Sequence, residues 1–269
     1  MAFISCPKCN HKPLPENQAF PAACPGCGVI FAKLGDRVAR IPISQAASAH
    51  NDDVDVSETQ ISNAREDILS MLFYVPAQVD KLNWGGRIFG LAVYLLWTFF
   101  IWRDMDIPGG NAGSYFLHVV ITPFHEAGHY LIFRWFGRFI MILGGTLGQH
   151  LFFVVLGVAL LWKRRDPYGA ALFLWGLGFS ISDMGVYMYD AFDPKLMLLD
   201  GRTGADSDGH DWQNLFDMMG VLKHARGIGL FFGWVGKAVM VAGLAWAAWM
   251  VWLQHAKLSD AVGAEADLE

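Results

Sequence analysis

An HExxH sequence stands at residues 125–129, as His125-Glu-Ala-Gly-His129. Side chains four residues apart lie on one face of an α-helix, so His125 and His129 can bind one zinc ion together. Glu126 can then take a proton from a water molecule, as metal-dependent hydrolysis requires. The surrounding stretch is apolar, and ionisable groups at membrane depth are costly unless they face a cavity and bind something. The motif therefore predicts a catalytic zinc site, and the alternative is interhelical hydrogen bonding without a metal.

A third protein ligand is expected elsewhere in the chain, because a catalytic zinc ion usually takes three and leaves one position for water. The candidates are four acidic residues and one histidine: Asp183, Asp190, Asp200, His210 and Asp211. Spacing alone does not choose between them. Acidic residues in a glycine-rich loop are also ordinary turn formers, which is the alternative for Asp200 and Asp211.

Three further polar residues within apolar stretches are candidates for the surroundings of the metal. His118 precedes His125 by seven residues, nearly two helical turns, and therefore faces the same side. Gln149 and His150 follow the glycine-rich run 144–148, where they could orient a ligand or bind extended substrate backbone. For all three residues the alternative is hydrogen bonding between packed helices.

Four cysteines form two C-x-x-C knuckles, Cys6 with Cys9 and Cys24 with Cys27. This pattern predicts a structural four-thiolate zinc site, whereas redox chemistry needs only one such pair. No charged and apolar signal segment precedes the knuckles, so this end is expected in the reducing cytoplasm. A basic patch interleaved with aromatic residues is missing here, which favours a protein partner over nucleic acid.

The composition, with 54% hydrophobic and 17% charged residues and a mean hydropathy of +0.32, is typical of a membrane protein. The net charge of −5 gives no general attraction to nucleic acid or anionic lipid. We predict an all-α polytopic membrane protein of about five transmembrane helices with a small N-terminal zinc-ribbon module. The five apolar stretches are residues 84–102, 115–136, 139–162 (or 147–162), 170–189 and 227–253.

The predicted organisation has four parts. They are a zinc ribbon at 1–35, a polar linker with a pre-membrane helix at 36–83, the transmembrane domain at 84–255 and an acidic tail at 256–269. Apolar residues at helical spacing place the pre-membrane helix over 68–82. Lys237 is a lone cation within the last apolar stretch and could pair with Asp183 or another buried acid.

The basic residues between the apolar stretches bear on the orientation in the membrane. With the N-terminus in the cytoplasm, simple alternation of five spans places Arg134 and Arg138 inside but the cluster 163–165 outside. One of these clusters then disagrees with the positive-inside rule. A re-entrant segment over 140–148 would repair the count, since non-helical backbone is tolerated at membrane depth where it lines a cavity.

The HEAGH sequence, its apolar surroundings and a later acidic residue resemble the site-2 protease family of intramembrane zinc metalloproteases. More closely, HEAGH followed by GGTLGQ, VYMYDA and GHDWQNLFDMMG, over roughly residues 115–225, resembles bacterial membrane proteins regarded as related to those peptidases. The resemblance implies that His125 and His129 are zinc ligands, that Glu126 is the general base and that His210 or Asp211 lies near the metal. Site-2 proteases take an aspartate from a Leu-Asp-Gly-like stretch, which Asp200-Gly201 matches only in part. The third ligand therefore stays open.

These patterns lead to one functional hypothesis and two alternatives. The first is a zinc-dependent intramembrane endopeptidase of a bacterial cytoplasmic membrane that cleaves a transmembrane protein substrate. It would hold one catalytic zinc ion in the membrane domain and one structural zinc ion in the N-terminal module. A divalent-metal transporter is the first alternative. A non-catalytic membrane adaptor, whose N-terminal module recruits a protein partner, is the second.

Overall fold

A computed structural model of the chain describes residues 6, 11–12, 14, 23–27, 65–76, 79–109 and 115–266. The chain divides into two compact units, Met1–Thr59 and Gln60–Glu269. The second unit is helical, and apart from isolated bridges the described residues form no β-strand. Its helices are α1 (65–72), α2 (Lys81–Asp104), α3 (Phe116–Ala127), α4 (Arg138–Ala159), α5 (Pro167–Asp190), α6 (Asp211–Met218) and α7 (Ala225–Ala266).

Four helices are long and apolar enough to cross a membrane, which is compatible with a membrane protein. They are α2, α4 extended by a π-helical turn to Arg164, α5 and the part of α7 that ends at Leu258. Helix α2 is the least buried of the four and exposes Phe89, Leu96 and Phe99. Large apolar side chains on an exposed helix face are typical of contact with lipid.

The predicted second span, 115–136, forms a shorter helix. Helix α3 has 12 residues and continues for 5 more as a π-helical turn, Gly128–Ile132. At 1.5 Å per residue this is roughly 25 Å, less than the hydrocarbon core of a bilayer. Residues 140–148 lie inside α4, so the re-entrant segment considered for them is not formed.

The two ends of the membrane part also differ from the prediction. Helix α1 ends at residue 72, because Val75 precedes Pro76 and a residue before proline disfavours helical geometry. A new helix then begins at Lys81, where the carboxylate of Asp80 accepts a hydrogen bond from the backbone N–H of Asn83 at 3.1 Å. The predicted acidic tail begins inside α7, which continues to Ala266. The predicted linker at 36–64 lies outside the described residues.

Helices α5 and α7 pack backbone against backbone along a glycine-rich seam. A Cβ atom added at Gly178 would lie 2.5 Å from the backbone nitrogen of Met240, and one at Gly185 would lie 2.6 Å from that of Gly233. Small residues of this kind let membrane helices approach closely. Lys237 on α7 lies beside the rings of Trp102 and Trp234, and Asp183, one of the partners considered for it, pairs with His118 instead.

The crossing of α3 and α4 brings the HEAGH sequence alongside α4. At Gly128 a side chain would overlap the carbonyl group of Gly144 and would lie 3.2 Å from the Cα of Gly148. Gly137, with a φ of +85°, forms the turn between the two helices in a conformation that glycine adopts without strain. Three glycines at the crossing therefore place the two helices close enough for α4 to contact both histidines.

Candidate metal centre

Three ligand atoms converge where α3, α4 and α6 meet. The Nε2 atoms of His125 and His129 lie 3.0 Å apart, and Oδ2 of Asp211 lies 2.9 Å from the first and 3.1 Å from the second. A tetrahedral zinc ion with bonds of about 2.0 Å has ligand atoms roughly 3.3 Å apart. The three atoms therefore fit a single small cation, and two histidines with one carboxylate are a donor set that zinc accepts.

The other ring nitrogens of the two histidines contact oxygen atoms. The Nδ1 atom of His125 lies 3.0 Å from Oε1 of Gln149, and that of His129 lies 2.8 Å from the backbone carbonyl oxygen of Met141. Both oxygens are acceptors only, so each Nδ1 carries the ring proton. In the neutral rings both Nε2 atoms then present lone pairs to each other and to a carboxylate. Three electron-rich atoms at this separation repel one another unless a cation or a proton lies between them.

Asp211 is positioned by the start of α6. Its backbone N–H donates to the hydroxyl oxygen of Tyr187 at 3.1 Å, and its side chain points to the histidine pair. Burial raises the pKa of Asp211, but when a proton lies on Nε2 of His125 or His129, the hydrogen bond that it donates outweighs burial and holds the pKa of Asp211 below its ordinary value. The residue therefore supplies an anionic oxygen at neutral pH.

His210, the neighbouring candidate, lies outside the metal-ligand set. Its Nε2 lies 3.2 Å from Oδ2 of Asp190, and its Nδ1 accepts the backbone N–H of Gln213 at 3.1 Å. The ring is fully buried and caps the N-terminus of α6. Both ring nitrogens are thus occupied, and His210 fixes the helix start that carries Asp211.

The remaining acidic candidates have other partners. The carboxylate of Asp190 holds His210 and accepts the backbone N–H groups of Lys195 and Leu196. The backbone N–H and the guanidinium group of Arg202 hold the pKa of Asp200 below its ordinary value and occupy its carboxylate. Neither residue belongs to the metal-ligand set.

Asp183 pairs with His118, whose Nδ1 lies 2.8 Å from Oδ1 of the carboxylate. The Asp183 side chain is buried, whereas the His118 ring is partly open to the cavity at the site. His118 lies seven residues before His125 on a helix that rises 1.5 Å per residue, so the pair is roughly 10 Å from the metal ligands. His118 thus lines the cavity and does not belong to the metal-ligand set.

Gln149 and His150, predicted together, have different environments. Gln149 is buried against His125, and its amide nitrogen donates to the carbonyl of Ser180 at 3.3 Å. His150 is not among the residues that line the cavity, and its Nε2 is buried without a hydrogen-bond partner among the described residues. Only Gln149 therefore contacts a metal-ligand candidate.

A cavity of about 540 Å³ surrounds the three ligand atoms. Glu126 lines it beside His125 and His129, so its carboxylate shares the space that a substrate or water molecule would occupy. The segment 196–200, residues of α6, His118 and Asp183 line the cavity as well. The space is of the size that small-molecule and peptide sites usually have.

The N-terminal unit brings three of its four cysteines together. The sulfur atoms of Cys6, Cys24 and Cys27 lie within 4.8 Å of one another, and those of Cys6 and Cys27 are 3.7 Å apart. The backbone N–H of Gly26 donates to the sulfur of Cys24 at 3.4 Å. Cys9, the fourth predicted ligand, lies outside the described residues.

Three contributors to the centre were missed by the sequence analysis. They are the carbonyl group of Met141, the hydroxyl group of Tyr187 and the space left by Gly145, where a Cβ atom would overlap the Nε2 atoms of both histidines. Met141, Gly145 and Gln149 are four residues apart, as His125 and His129 are. The shared spacing indicates that the three residues lie on one face of α4, as the two histidines lie on one face of α3, and could have been noticed in the sequence.

No protein-family model, curated protein or solved structure matches the chain.

Proposed function

We propose that the protein is a zinc-dependent intramembrane endopeptidase, similar to the site-2 proteases, that hydrolyses a peptide bond of a membrane protein substrate. One observation carries the proposal: two histidine Nε2 lone pairs and the Asp211 carboxylate converge on one point, and Glu126 lines the cavity around that point. The HExxH spacing supports zinc as the metal and hydrolysis as the chemistry.

The chain's own residues have separate tasks in this mechanism. His125, His129 and Asp211 would hold the zinc ion. A zinc ion bound there supplies a Lewis acid that polarises a carbonyl group and lowers the pKa of water. Glu126 takes the proton of the attacking water and transfers it to the leaving amine nitrogen. Apolar side chains in the walls of the cavity, Ile121 and Met184 among them, would limit the number of water molecules at the site.

Glu126→Gln should retain zinc and lose cleavage, because the amide keeps the shape of the side chain but cannot accept the proton. We expect new protein N-termini in membranes from cells that express the wild type, and at least about a hundredfold fewer with the variant. The measurement is mass spectrometry of N-terminal peptides from both membranes. Zinc content, determined on the purified proteins, should be equal.

Gln213→Glu is a matched control for this experiment, since it exchanges the same two functional groups outside the metal-ligand set. Cleavage products should be unchanged in that variant. Identical N-termini in wild type and Glu126→Gln would contradict the peptidase proposal and favour the non-catalytic adaptor.

The apolar layer beneath the cavity argues against a metal transporter. Phe153, Trp175 and Phe179 are buried in one cluster on the side of His118 and Asp183 that faces the start of α5. Among the described residues no second group of three metal-binding side chains lies in this helical unit. An ion that left the centre toward the opposite side would therefore meet aromatic side chains and no ligand.

With four crossing helices and α3 as a partial insertion, Arg138 and the cluster 163–165 still lie at opposite ends of α4, and the larger cluster decides the orientation. The start of α2 lies beside the start of α5, where Arg87 pairs with Asp166 at 3.1 Å, and Trp84 donates to the carbonyl of Val251 on α7. The cluster Lys163, Arg164 and Arg165 precedes Asp166 and is therefore at this end. We propose that this end faces the cytoplasm and that the metal centre opens to the opposite side.

This orientation predicts the labelling of single cysteines by a membrane-impermeant maleimide. Ala205→Cys, in the loop at the mouth of the cavity, should be labelled in intact spheroplasts. Ser70→Cys, on α1, should be labelled only after the membrane is permeabilised. Peptide mass mapping separates these labels from the native cysteines, and the reverse pattern would contradict the orientation.

For the N-terminal unit we propose a structural zinc ion held by Cys6, Cys9, Cys24 and Cys27. Three of these sulfur atoms lie close together, and so small a unit needs its metal to fold. We propose that it binds a protein partner or the substrate, because the short loops between the helices leave little room for a separate substrate-binding domain.

A further inference from the structure

One face of α4 is complementary to the histidine face of α3. Met141, Gly145 and Gln149 follow at intervals of four residues on this face. Met141 and Gln149 each supply a hydrogen-bond acceptor, and Gly145 between them leaves space because it has no side chain. The facing helix presents His129 and His125, also four residues apart and in the opposite chain direction. Each histidine Nδ1 therefore meets one acceptor, and the space over Gly145 accommodates the two Nε2 atoms.

The two acceptors differ in how they are fixed. The carbonyl of Met141 belongs to the backbone of α4, so no side-chain substitution removes it. The acceptor of Gln149 belongs to a side chain whose orientation depends on Ser180. The carbonyl oxygen of Ser180 can pair with the amide nitrogen of Gln149 but not with its amide oxygen, so the amide oxygen must face His125. Burial of Gln149 excludes water as a substitute acceptor.

We propose that Gln149 is the positioning residue of the metal centre: held by Ser180, it keeps the ring proton of His125 on Nδ1 and directs the Nε2 lone pair at the metal. The proposal rests on the proposed zinc site and does not require the peptidase activity. A group that orients a metal-bound histidine typically contributes ten- to hundredfold to metal affinity. Because Gln149 joins α4 to α5, it also makes the centre dependent on the packing of these two helices.

Two substitutions separate positioning from packing. Gln149→Met keeps the approximate volume but has no acceptor for His125, and we expect its zinc dissociation constant to rise about ten- to hundredfold. Gln149→Glu keeps a carboxyl oxygen that accepts from Nδ1 of His125 in either protonation state, and we expect affinity within about threefold of wild type. Gly157→Ala, on the same helix but outside the lining of the cavity, should leave zinc affinity unchanged.

The experiment uses the full-length protein in detergent, with the Cys-bound zinc retained and the membrane site titrated against a zinc chelator of known affinity. Nitrogen-15 NMR of labelled histidine in the form without membrane-site zinc supplies a second readout. The wild type should show His125 protonated on Nδ1, and Gln149→Met should show both tautomers.

Equal zinc affinity in wild type and Gln149→Met would overturn the positioning role. Equal losses in Gln149→Met and Gln149→Glu would assign the residue to packing and overturn it as well. A wild type without zinc at the membrane site would remove this proposal together with the proposed function. Zinc binding without any cleavage would contradict the peptidase alone.

Discussion

The purified wild-type protein should carry two zinc ions per chain, and the His125→Ala/His129→Ala variant should carry one. The double substitution removes two of the three ligands at the membrane site, and Asp211 alone cannot retain the ion. The cysteine site, in a separate compact unit, should keep its metal. Elemental analysis of detergent-purified protein measures both quantities and also reports any iron, which two histidines and one carboxylate can bind as well.

The reciprocal variant, Cys6→Ser/Cys9→Ser, should lose the other zinc ion and retain the one in the membrane. His224→Ala is the control for a histidine outside the centre and should keep both ions. One zinc ion in the wild type, lost only with the cysteines, would contradict the membrane metal site. The HEAGH sequence would then be a packing element, and the hydrogen bonds of His125 would serve helix association.

The ligand pair could be predicted from the sequence because both histidines lie on one helix. Their spacing fixes their common face without any knowledge of the fold. Asp211 could not be selected in the same way, because it lies 86 residues after His125 and next to another candidate, His210. The choice depends on Asp190, which binds His210 and leaves Asp211 free to approach the histidines.

The number of crossing helices was overestimated for a related reason. Hydropathy is continuous through 115–136, so composition alone suggests a full span. The helix stops short because its end must turn at Gly137 and return along α4. The close approach of Gly128 to Gly144 and Gly148 determines where α4 runs back along α3. These contacts join residues of two different apolar stretches, so hydropathy along the chain does not show them. Large apolar side chains of the segment, such as Phe116, Leu131 and Trp135, are exposed and fit contact with lipid, whereas the length of the helix depends on packing.

Gly145→Ala should abolish zinc binding at the membrane site while the protein still folds. The added methyl group would overlap the Nε2 atoms of His125 and His129, the atoms that converge on the metal. Both clashes are with the ends of side chains, so the rings can rotate away without displacing a helix. We expect the zinc dissociation constant to rise at least about a thousandfold, equivalent to roughly 4 kcal/mol.

Gly157→Ala is the matched control, on the same helix and with the same change in helix propensity of about 1 kcal/mol. A Cβ atom there would lie 3.4 Å from that of Phe173, an ordinary contact, so zinc affinity should be unchanged. Without zinc at the membrane site, the unfolding temperature of each variant should not lie below that of the wild type. Zinc addition should then raise the unfolding temperature of Gly157→Ala but leave that of Gly145→Ala unchanged, since only a ligand that binds the folded state stabilises it. Equal stabilisation of both would show that the metal lies elsewhere, because no ion can be held between the two histidines while a methyl group occupies the space of their nitrogens.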